Sequence, residues 1–323
     1  MLITAGSILI GLGLLAWGAD RFVAGAAAVA RNLGISPILI GLTILGVATS
    51  APEMLVSALA AINGMPAIAI GNALGSNIAN LGLVLGTAIV VRPLAIRSST
   101  LQRELPALLV SAVLPLPLFL DGRLGRVDSL LLFAALLLLA WWLTALGYRA
   151  GVRDPMRAEL RKELREPLGL GAATVWLVFG LAALLAGAQL LVLGAERAAR
   201  ALDVSELIIG LTVVAVGTSL PELAVSVAGA RKNEADLVLG SVIGSNIFNM
   251  LAVIGIAGVV APLEIEPEIL TLHYPVMGLM TVAVFLLTYN RGPDHILGRN
   301  IGLALLSAFS GYHAFVVWRI LAG

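Results

Sequence analysis

Two glutamates, Glu53 and Glu222, lie near the centres of long apolar segments in this chain of 323 residues. They occur 169 positions apart, in the similar segments ATSAPE and GTSLPE. A carboxylate at the centre of a membrane span is unfavourable by about 3 kcal/mol on insertion scales, and ionisable residues at that depth are functional by default. A single buried carboxyl group can have a purely structural role. Because two occur at matching positions, we expect both to belong to one functional site.

A proline precedes each glutamate, at positions Pro52 and Pro221. Proline has no N–H and its ring clashes with the carbonyl group four residues earlier, so it breaks or kinks a helix. The carbonyl groups of Ala48 and Gly217 should therefore lose their helical partners. Irregular backbone is tolerated at membrane depth only where it is buried in protein or lines a cavity. Hydroxyl side chains three and four residues before each glutamate share its helical face, namely Thr49, Ser50, Thr218 and Ser219.

A second pair of repeated segments, GNALGSNIAN and GSVIGSNIFN, adds hydroxyl and amide oxygens. A serine and an asparagine four residues apart share a helical face in each copy, as Ser76 with Asn80 and Ser245 with Asn249. Such residues can also simply bond neighbouring membrane helices to each other. Together with the two glutamates they form an all-oxygen set of ligands. That set suits a hard cation such as calcium and does not suit zinc or copper.

The composition of the chain places these residues in a membrane. The chain is 59% hydrophobic and 12% charged, whereas ordinary soluble domains are about 45–50% apolar and about 25% charged. These proportions exclude a soluble enzyme, a disordered protein and a coiled coil, and they predict an all-α polytopic membrane protein. A span needs about 20 apolar residues. We predict ten spans, at residues 2–20, 37–61, 67–91, 104–120, 127–148, 170–193, 206–230, 236–261, 270–289 and 300–321.

The two halves of the sequence repeat each other. Residues 34–86 align with residues 203–255 with 21 identities in 53 positions. Each half holds five predicted spans, and an odd number makes the second half enter the membrane in the opposite direction. Inverted repeats with interrupted helices are typical of transporters that bind their substrate near the bilayer midplane, so we expect helices 2, 3, 7 and 8 to be broken. We assign the two repeats and the charged linker between them to residues 1–148, 168–323 and 149–167.

The distribution of positive charge predicts the orientation in the membrane. When both termini are placed outside, 15 of the 20 lysines and arginines fall on the inner side and five on the outer side. Positive loops are retained in the cytoplasm. We therefore predict a multi-pass protein of the cell membrane with both termini outside and the linker inside. The sequence contains no nucleophile elbow, phosphate loop or HExxH motif, so we do not expect an enzyme.

The repeated motifs resemble the two α-repeats of the cation/calcium antiporter superfamily. The segments GVATSAPE with GNALGSNIAN, and GTSLPE with GSVIGSNIFN, most resemble its sodium/calcium exchanger branch in the compact prokaryotic form. The cation/proton exchanger branch typically carries an acidic motif of the GNxxE kind, which this sequence lacks. The resemblance covers nearly the whole chain. It implies a prokaryotic inner-membrane antiporter that needs no cofactor and binds calcium and sodium as its transported ions.

The resemblance also implies roles for individual residues. Glu53 and Glu222 would be the central carboxylates that calcium and sodium share. The carbonyl groups of Thr49 and Thr218 would complete the calcium site. Flanking sodium sites would use hydroxyl groups and further backbone carbonyl groups, those of Ser50, Ser76, Ser219, Ser245, Gly46 and Ala215.

This sequence departs from many members of the family at two positions. Asn80 and Asn249 would line the middle of the site, where many relatives, the potassium-dependent exchangers in particular, have aspartate. Both side chains are neutral, so the formal charge of the site is −2 and comes from the two glutamates alone. One calcium ion or two sodium ions neutralise that charge, whereas three sodium ions leave a charge of +1. We expect exchange to persist, without dependence on potassium.

The sequence thus predicts an antiporter that extrudes calcium by using the inward sodium gradient and alternating access. The second, third, seventh and eighth spans would form the site, and the first and sixth would slide or rock against them. Two alternatives stay open: a proton-coupled antiporter of the same fold for calcium or another divalent cation, and a cation channel along the same polar pathway. The dependence of calcium flux on pH and on sodium across the membrane separates these functions.

Overall fold

The computed structural model describes residues 2–33, 40–62, 66–96, 101–150, 168–201, 215–289 and 295–322. Within these ranges the chain is almost entirely helical, with a few short strands. Most of the predicted linker (151–167) and the first part of the predicted seventh span (206–214) lie outside the described residues.

The helices of the first half are α1 (Leu2–Leu33), α2 (Gly46–Thr49), α3 (Ala51–Ile62), α4 (Pro66–Ala79), α5 (Leu85–Val91), α6 (Leu101–Val113), α7 (Pro115–Phe119) and α8 (Arg126–Ala150). Those of the second half are α9 (Leu170–Ala201), α10 (Ala215–Thr218), α11 (Leu220–Arg231), α12 (Ala235–Phe248), α13 (Ile254–Val260), α14 (Tyr274–Thr288) and α15 (Arg299–Ala322). Helices α10 to α13 begin and end 169 residues after α2 to α5. Asn77 and Asn246 are separated by the same number of residues. The internal repeat of the sequence is therefore also a repeat of structure.

Among the described residues, six helical segments are long and apolar enough to cross a membrane. They are Leu9–Leu33, Ala69–Val91, Leu170–Leu190, Ala235–Val260, Ile269–Thr288 and Arg299–Arg319. The bent pair Thr43–Thr49 and Ala51–Ile62 would add a seventh span if it crosses as one unit. The described residues thus have a helical, membrane-type fold, while the complete set of ten spans stays a prediction.

Helix α1 is longer than the sequence pattern predicted. It continues to Leu33, although the predicted first span ends at residue 20. The charged Arg21 does not end the helix, because its guanidinium carbon lies 4.4 Å from the centre of the Trp176 ring in a cation–π contact. Five alanines between positions 24 and 30 also favour a continuing helix.

Four short strands, which the sequence analysis did not predict, connect the two halves. Strand β1 (Leu94–Ile96) pairs antiparallel with β4 (His295–Leu297), and β2 (Arg123–Leu124) pairs antiparallel with β3 (Leu263–Glu264). Strand β1 follows α5 and its partner β4 precedes α15. In the same way β3 follows α13 and its partner β2 precedes α8. These pairs tie the ends of the helices together across the repeat.

Glycines allow α1 and α9 to cross with their backbones in contact. A Cβ added at Gly25 would stand 2.5 Å from the backbone nitrogen of Leu177, and one added at Gly180 would stand 2.5 Å from that of Phe22. Real side chains cannot occupy these positions without separating the two helices. Small residues at helix crossings are the usual means of close packing in membranes, where apolar surface alone does not drive association. We infer that α1 and α9 behave as one packed unit.

We predict that Gly25→Ala lowers the thermal unfolding midpoint of the detergent-solubilised protein by about 4 °C or more, because overpacking against backbone costs about 1–3 kcal/mol. Gly13→Ala on the same helix is the matched control, since a Cβ there meets nothing within 4 Å. Alanine is the better helix former, so the control should be unchanged or more stable. Equal midpoints for the two variants would contradict the packing argument.

Candidate cation site

The chain bends at Ser50, next to the first glutamate. The helical segment Thr43–Thr49 and α3 meet at an angle of 43°. Ser50 itself has φ −81° and ψ 2°, and its N–H donates to the carbonyl group of Gly46 at 3.1 Å. Pro52 is the second residue of α3, where the missing N–H of proline is tolerated. The bend predicted from this proline is present, and it places Glu53 in the first turn of a new helix.

The second copy is interrupted at the equivalent residue, Ser219. This residue separates α10 from α11 and has φ −87° and ψ 4°. Its N–H donates to the carbonyl group of Val216 at 3.2 Å, a bond across only three residues. Pro221 is again the second residue of the new helix, and Glu222 follows it in the first turn. Both predicted breaks at the prolines are thus present.

The third and eighth predicted spans are not broken, contrary to the prediction. Residues Ala69–Val91 and Ala235–Val260 each form one continuous candidate span. Neither segment contains a proline that would remove a helical hydrogen bond. Each instead carries a π turn, over Asn80–Val84 and Asn249–Val253. Such turns widen the helix locally and are frequent at functional sites, and here each begins at the asparagine of the predicted site.

The two halves meet where α2 packs against α12. A Cβ at Gly46 would stand 3.1 Å from the backbone of Gly244, so a larger residue would push the two backbones apart by a few tenths of an ångström. Thr49 Oγ1 and Ser245 Oγ are 3.2 Å apart. Thr49 donates its hydroxyl hydrogen to the carbonyl group of Leu45 at 2.9 Å. Ser245 is therefore the donor to Thr49, and one hydroxyl from each half is joined beside the carboxylates.

The two predicted carboxylates are buried together. Glu53 and Glu222 are each 1% exposed, and they are close enough to interact electrostatically. The carboxyl group of Glu222 lies close to the hydroxyl groups of Thr49, Ser50 and Ser245. The structure thus brings the glutamate of one half next to the helix break of the other.

Several polar atoms around the carboxylates have no hydrogen-bond partner among the described residues. They are the carboxylate oxygens of Glu53 and Glu222, the amide groups of Asn80 and Asn249, and the hydroxyl groups of Ser50 and Ser219. Buried polar groups are nearly always hydrogen-bonded, and an uncompensated buried charge is strongly destabilising. In the described part of the chain no lysine, arginine or histidine forms an ion pair with either glutamate. The chemistry of these atoms fits one or more cations held by oxygen.

The remaining predicted ligands lie on the same elements. Ser76 is 3% exposed, one helical turn before Asn80. Ala215 and Thr218 begin and end α10, which packs against α4 as α2 packs against α12. All of the predicted ligand positions therefore fall on the helix breaks and on the two helices that cross them.

The sequence analysis missed two asparagines at the contact between the halves. Asn77 donates its amide to the carbonyl group of Asn246 at 3.3 Å, and Asn246 donates its own amide to the carbonyl group of Val242 at 2.6 Å. Both asparagines are 1% exposed. They follow the serine in the repeated triplet GSN, so the repeat marks them as clearly as it marks the serine and the later asparagine.

Ion pairs join helix α1 to the turn between α11 and α12. The helix packs along α11, and its Asp20 Oδ1 lies 2.6 Å from Lys232 Nζ. Farther along the helix, Arg31 Nη1 lies 3.4 Å from Glu234 Oε1. Burial raises the pKa of Glu234, and the guanidinium of Arg31 lowers it in part. Both partners of α1 lie in the turn between α11 and α12, where Asn233 has a positive φ of 63°.

We predict that Glu53→Gln and Glu222→Gln each raise the thermal midpoint in a buffer that contains a chelator and no sodium, because the repulsion between two buried carboxylates disappears. Both variants should also lose the stabilisation that calcium gives the wild-type protein. Glu264→Gln is the control, since its side chain is 80% exposed. Undiminished calcium-dependent stabilisation in both variants would rule out the carboxylate site.

Comparison with known proteins gives relatives over almost the whole chain. The family profile described as sodium/calcium exchanger protein matches residues 3–145 and 172–318. The putative antiporter CaxA of Alkalimonas amylolytica is 46% identical over 312 residues, covering 97% of this chain and 98% of that protein. The sodium/calcium exchanger MaX1 of Methanosarcina acetivorans is 33% identical over 315 residues, covering 87% and 89%.

A solved structure has the same fold. The sodium-calcium exchanger NCX_Mj, soaked with 2.5 mM Na⁺ and 0.1 mM Ca²⁺, superimposes with a TM-score of 0.84 at 33% sequence identity, covering 97% of this chain and 98% of that chain. The match confirms the resemblance seen in the repeated motifs. This chain belongs to the sodium/calcium exchanger family of multi-pass membrane proteins.

Proposed function

We propose that this protein is an antiporter that exchanges calcium for sodium across the membrane, and not an enzyme. The observation that carries the proposal is the pair Glu53 and Glu222, which are buried side by side and have no cationic partner among the described residues. The exchanger activity in the names of MaX1 and NCX_Mj supports the same conclusion.

Two glutamates can couple the two ions by competition for the same charge. The formal charge of −2 is neutralised by one calcium ion or by two sodium ions, and burial disfavours a site that is left unpaired. A calcium site of six or more oxygens would be completed by the carbonyl groups of Thr49 and Thr218 and the amide oxygens of Asn80 and Asn249. Sodium would use flanking positions formed by Ser50, Ser76, Ser219, Ser245 and the carbonyl groups of Gly46 and Ala215.

We propose that ten spans arranged as two inverted five-helix repeats carry this site. The repeats would comprise residues 1–148 and 168–323, with a cytoplasmic linker at 149–167 and both termini outside the cell membrane. The recurrence of α2 to α5 as α10 to α13 supports this arrangement. Inverted repeats give a transporter two related states, each open to one side of the membrane.

Alternating access would move the unit of α1 and α9 against the helices that form the site. In this structure Asp20 and Lys232 tie α1 to the turn after α11, whereas Arg31 only partly offsets the unfavourable burial of the Glu234 carboxylate. The equivalent positions after 169 residues are not complementary, because Gln189 replaces the aspartate and residues 63–65 are Asn-Gly-Met. The Asp20–Lys232 pair can therefore close only one side of the membrane.

A second candidate function is proton-coupled antiport of calcium or another divalent cation. The neutral side chains of Asn80 and Asn249 favour it, since they remove charge that would otherwise attract additional sodium ions. Protons, instead of sodium ions, would then neutralise the two glutamates. The site and the fold are the same in both proposals, and only the coupling ion differs.

We predict that calcium enters proteoliposomes loaded with sodium, and that collapse of the sodium gradient stops uptake, whereas collapse of the proton gradient does not. Glu53→Gln should abolish uptake, and Glu264→Gln should leave it unchanged. If three sodium ions exchange for one calcium ion, an inside-positive potential accelerates uptake, with about 2.3 kcal/mol available per charge and 100 mV.

Other outcomes identify the alternatives. Uptake that depends only on the proton gradient would replace sodium by protons as the coupling ion. Calcium flux that ignores sodium and protons on the opposite side would indicate a channel. Intact calcium flux in the double variant Glu53→Gln with Glu222→Gln would contradict the proposed site.

We predict opposite effects for two variants of the ion pairs at α1. Asp20→Asn should open this side, with a population shift of about two- to fivefold, because a partly exposed pair contributes up to about 1 kcal/mol. Glu234→Gln should favour closure. Burial raises the pKa of Glu234 in the closed arrangement. The closed arrangement therefore binds a proton more tightly than an arrangement with Glu234 in water. Lower pH should for that reason also favour closure.

The chain has no cysteine, so spin labels on Leu33→Cys and Arg231→Cys can report the distance between α1 and α11. The exchanged pair Asp20→Lys with Lys232→Asp should restore the wild-type distance distribution. Identical distributions in all variants and at all pH values would contradict the role of the ion pairs.

A further inference from the structure

Asn72 joins the helix of the first carboxylate to the helix that crosses it. Its amide nitrogen donates to the backbone carbonyl group of Glu53 at 3.1 Å and to Ser57 Oγ at 3.0 Å. Ser57 in turn donates its hydroxyl hydrogen to the backbone carbonyl group of Ala69 at 3.2 Å. Both hydrogens of one amide group are therefore used between α3 and α4.

This network allows only one orientation of the Asn72 amide. The carbonyl oxygen of Glu53 can only accept a hydrogen bond, and Ser57 has already donated its hydrogen to Ala69. A flipped amide would place the oxygen of Asn72 against two acceptors. The Oδ1 atom must therefore point away from both partners. No described residue donates a hydrogen bond to it, and the side chain is partly exposed.

The position of Asn72 extends the polar face of α4. Asn72, Ser76 and Asn80 are spaced by four residues, so they lie on one helical face. At a rise of about 1.5 Å per residue, Asn72 lies about 6 Å beyond Ser76 toward the beginning of α4. Its fixed oxygen is thus the next polar group that a cation would meet outside the predicted ligands on this helix.

The second half has no equivalent arrangement. The positions that correspond to Asn72 and Ser57 are Ser241 and Ser226. Both serines are buried, at 1% and 0% exposure, and neither hydroxyl group has a hydrogen-bond partner among the described residues. The two halves therefore differ at this point, although the carboxylates and the helix breaks are repeated.

We propose that Asn72 is a further cation-binding residue, whose Oδ1 atom is the first protein ligand for ions that enter from the side where α4 begins. This inference rests on the proposed function as a cation antiporter. An amide oxygen replaces one water of a hydrated calcium or sodium ion without adding charge. The ion therefore gains a ligand before it reaches the glutamates. No additional negative charge slows its movement to them.

The test compares calcium uptake from the two faces of the membrane in proteoliposomes of one orientation. Asn72→Ala should raise the KM for calcium about fivefold on the face where α4 begins, because it removes one hydrogen-bond-strength contact with the ion. The KM on the opposite face and the kcat should stay unchanged. Asn72→Ser should give the same change, because the shorter side chain can keep one bond to α3 but its oxygen cannot reach the position of the amide oxygen.

Ser241→Ala is the matched control in the second repeat, and it should change neither KM. A rise in KM that is equal on both faces, or a lower kcat with unchanged KM, would overturn the assignment in favour of a purely structural bond. Calcium uptake by the wild type that does not depend on sodium would overturn the proposed coupling, while the comparison between the two faces would still decide the role of Asn72. A wild type that moves no calcium would overturn both proposals.

Discussion

The repulsion between two carboxylates that are buried together without a cationic side chain is the constraint on which this structure depends. Glu53 and Glu222 are each 1% exposed and interact with each other. A protein that only had to fold would place a lysine or arginine between them, or apolar groups instead of them. The lack of such a partner among the described residues leaves the charge for mobile cations to neutralise. Exchange follows, because whichever ion leaves must be replaced by another.

The backbone around the glutamates meets this constraint by using one structural solution twice. A serine with ψ near zero follows a short helix, a proline is the second residue of the next helix, and the glutamate follows in its first turn. Carbonyl and hydroxyl oxygens are thereby collected at the charge without any additional acidic residue. The close approach at Gly46 then brings the break of one half against α12 of the other, so each carboxylate is surrounded by groups from both halves.

Sequence reasoning was most successful where a single residue type determines the backbone. The prolines predicted the breaks at Ser50 and Ser219, and the repeat predicted that Glu53 and Glu222 meet. The same reasoning failed for the third and eighth spans, because a π turn at Asn80 or Asn249 has no residue that marks it as proline marks a break. The extension of α1 was missed for another reason: tertiary contacts, such as that of Arg21 with Trp176, keep a charged residue within the helix. The short strands depend on pairing between distant segments, which local patterns do not contain.

Differences between the two halves matter because identical halves would give an exchanger no preferred side. If the repeats were equivalent, the two facing states would have the same free energy and the ions would meet the same groups from either direction. This chain keeps the carboxylates, helix breaks and asparagines equal, and it varies the residues around them. Asn72 faces Ser57 in one half, whereas two unbonded serines occupy these positions in the other. Asp20 and Lys232 form an ion pair for which the other half has no counterpart. In the function that we propose, the symmetric residues determine which ions bind, and the asymmetric residues determine from which side they are received.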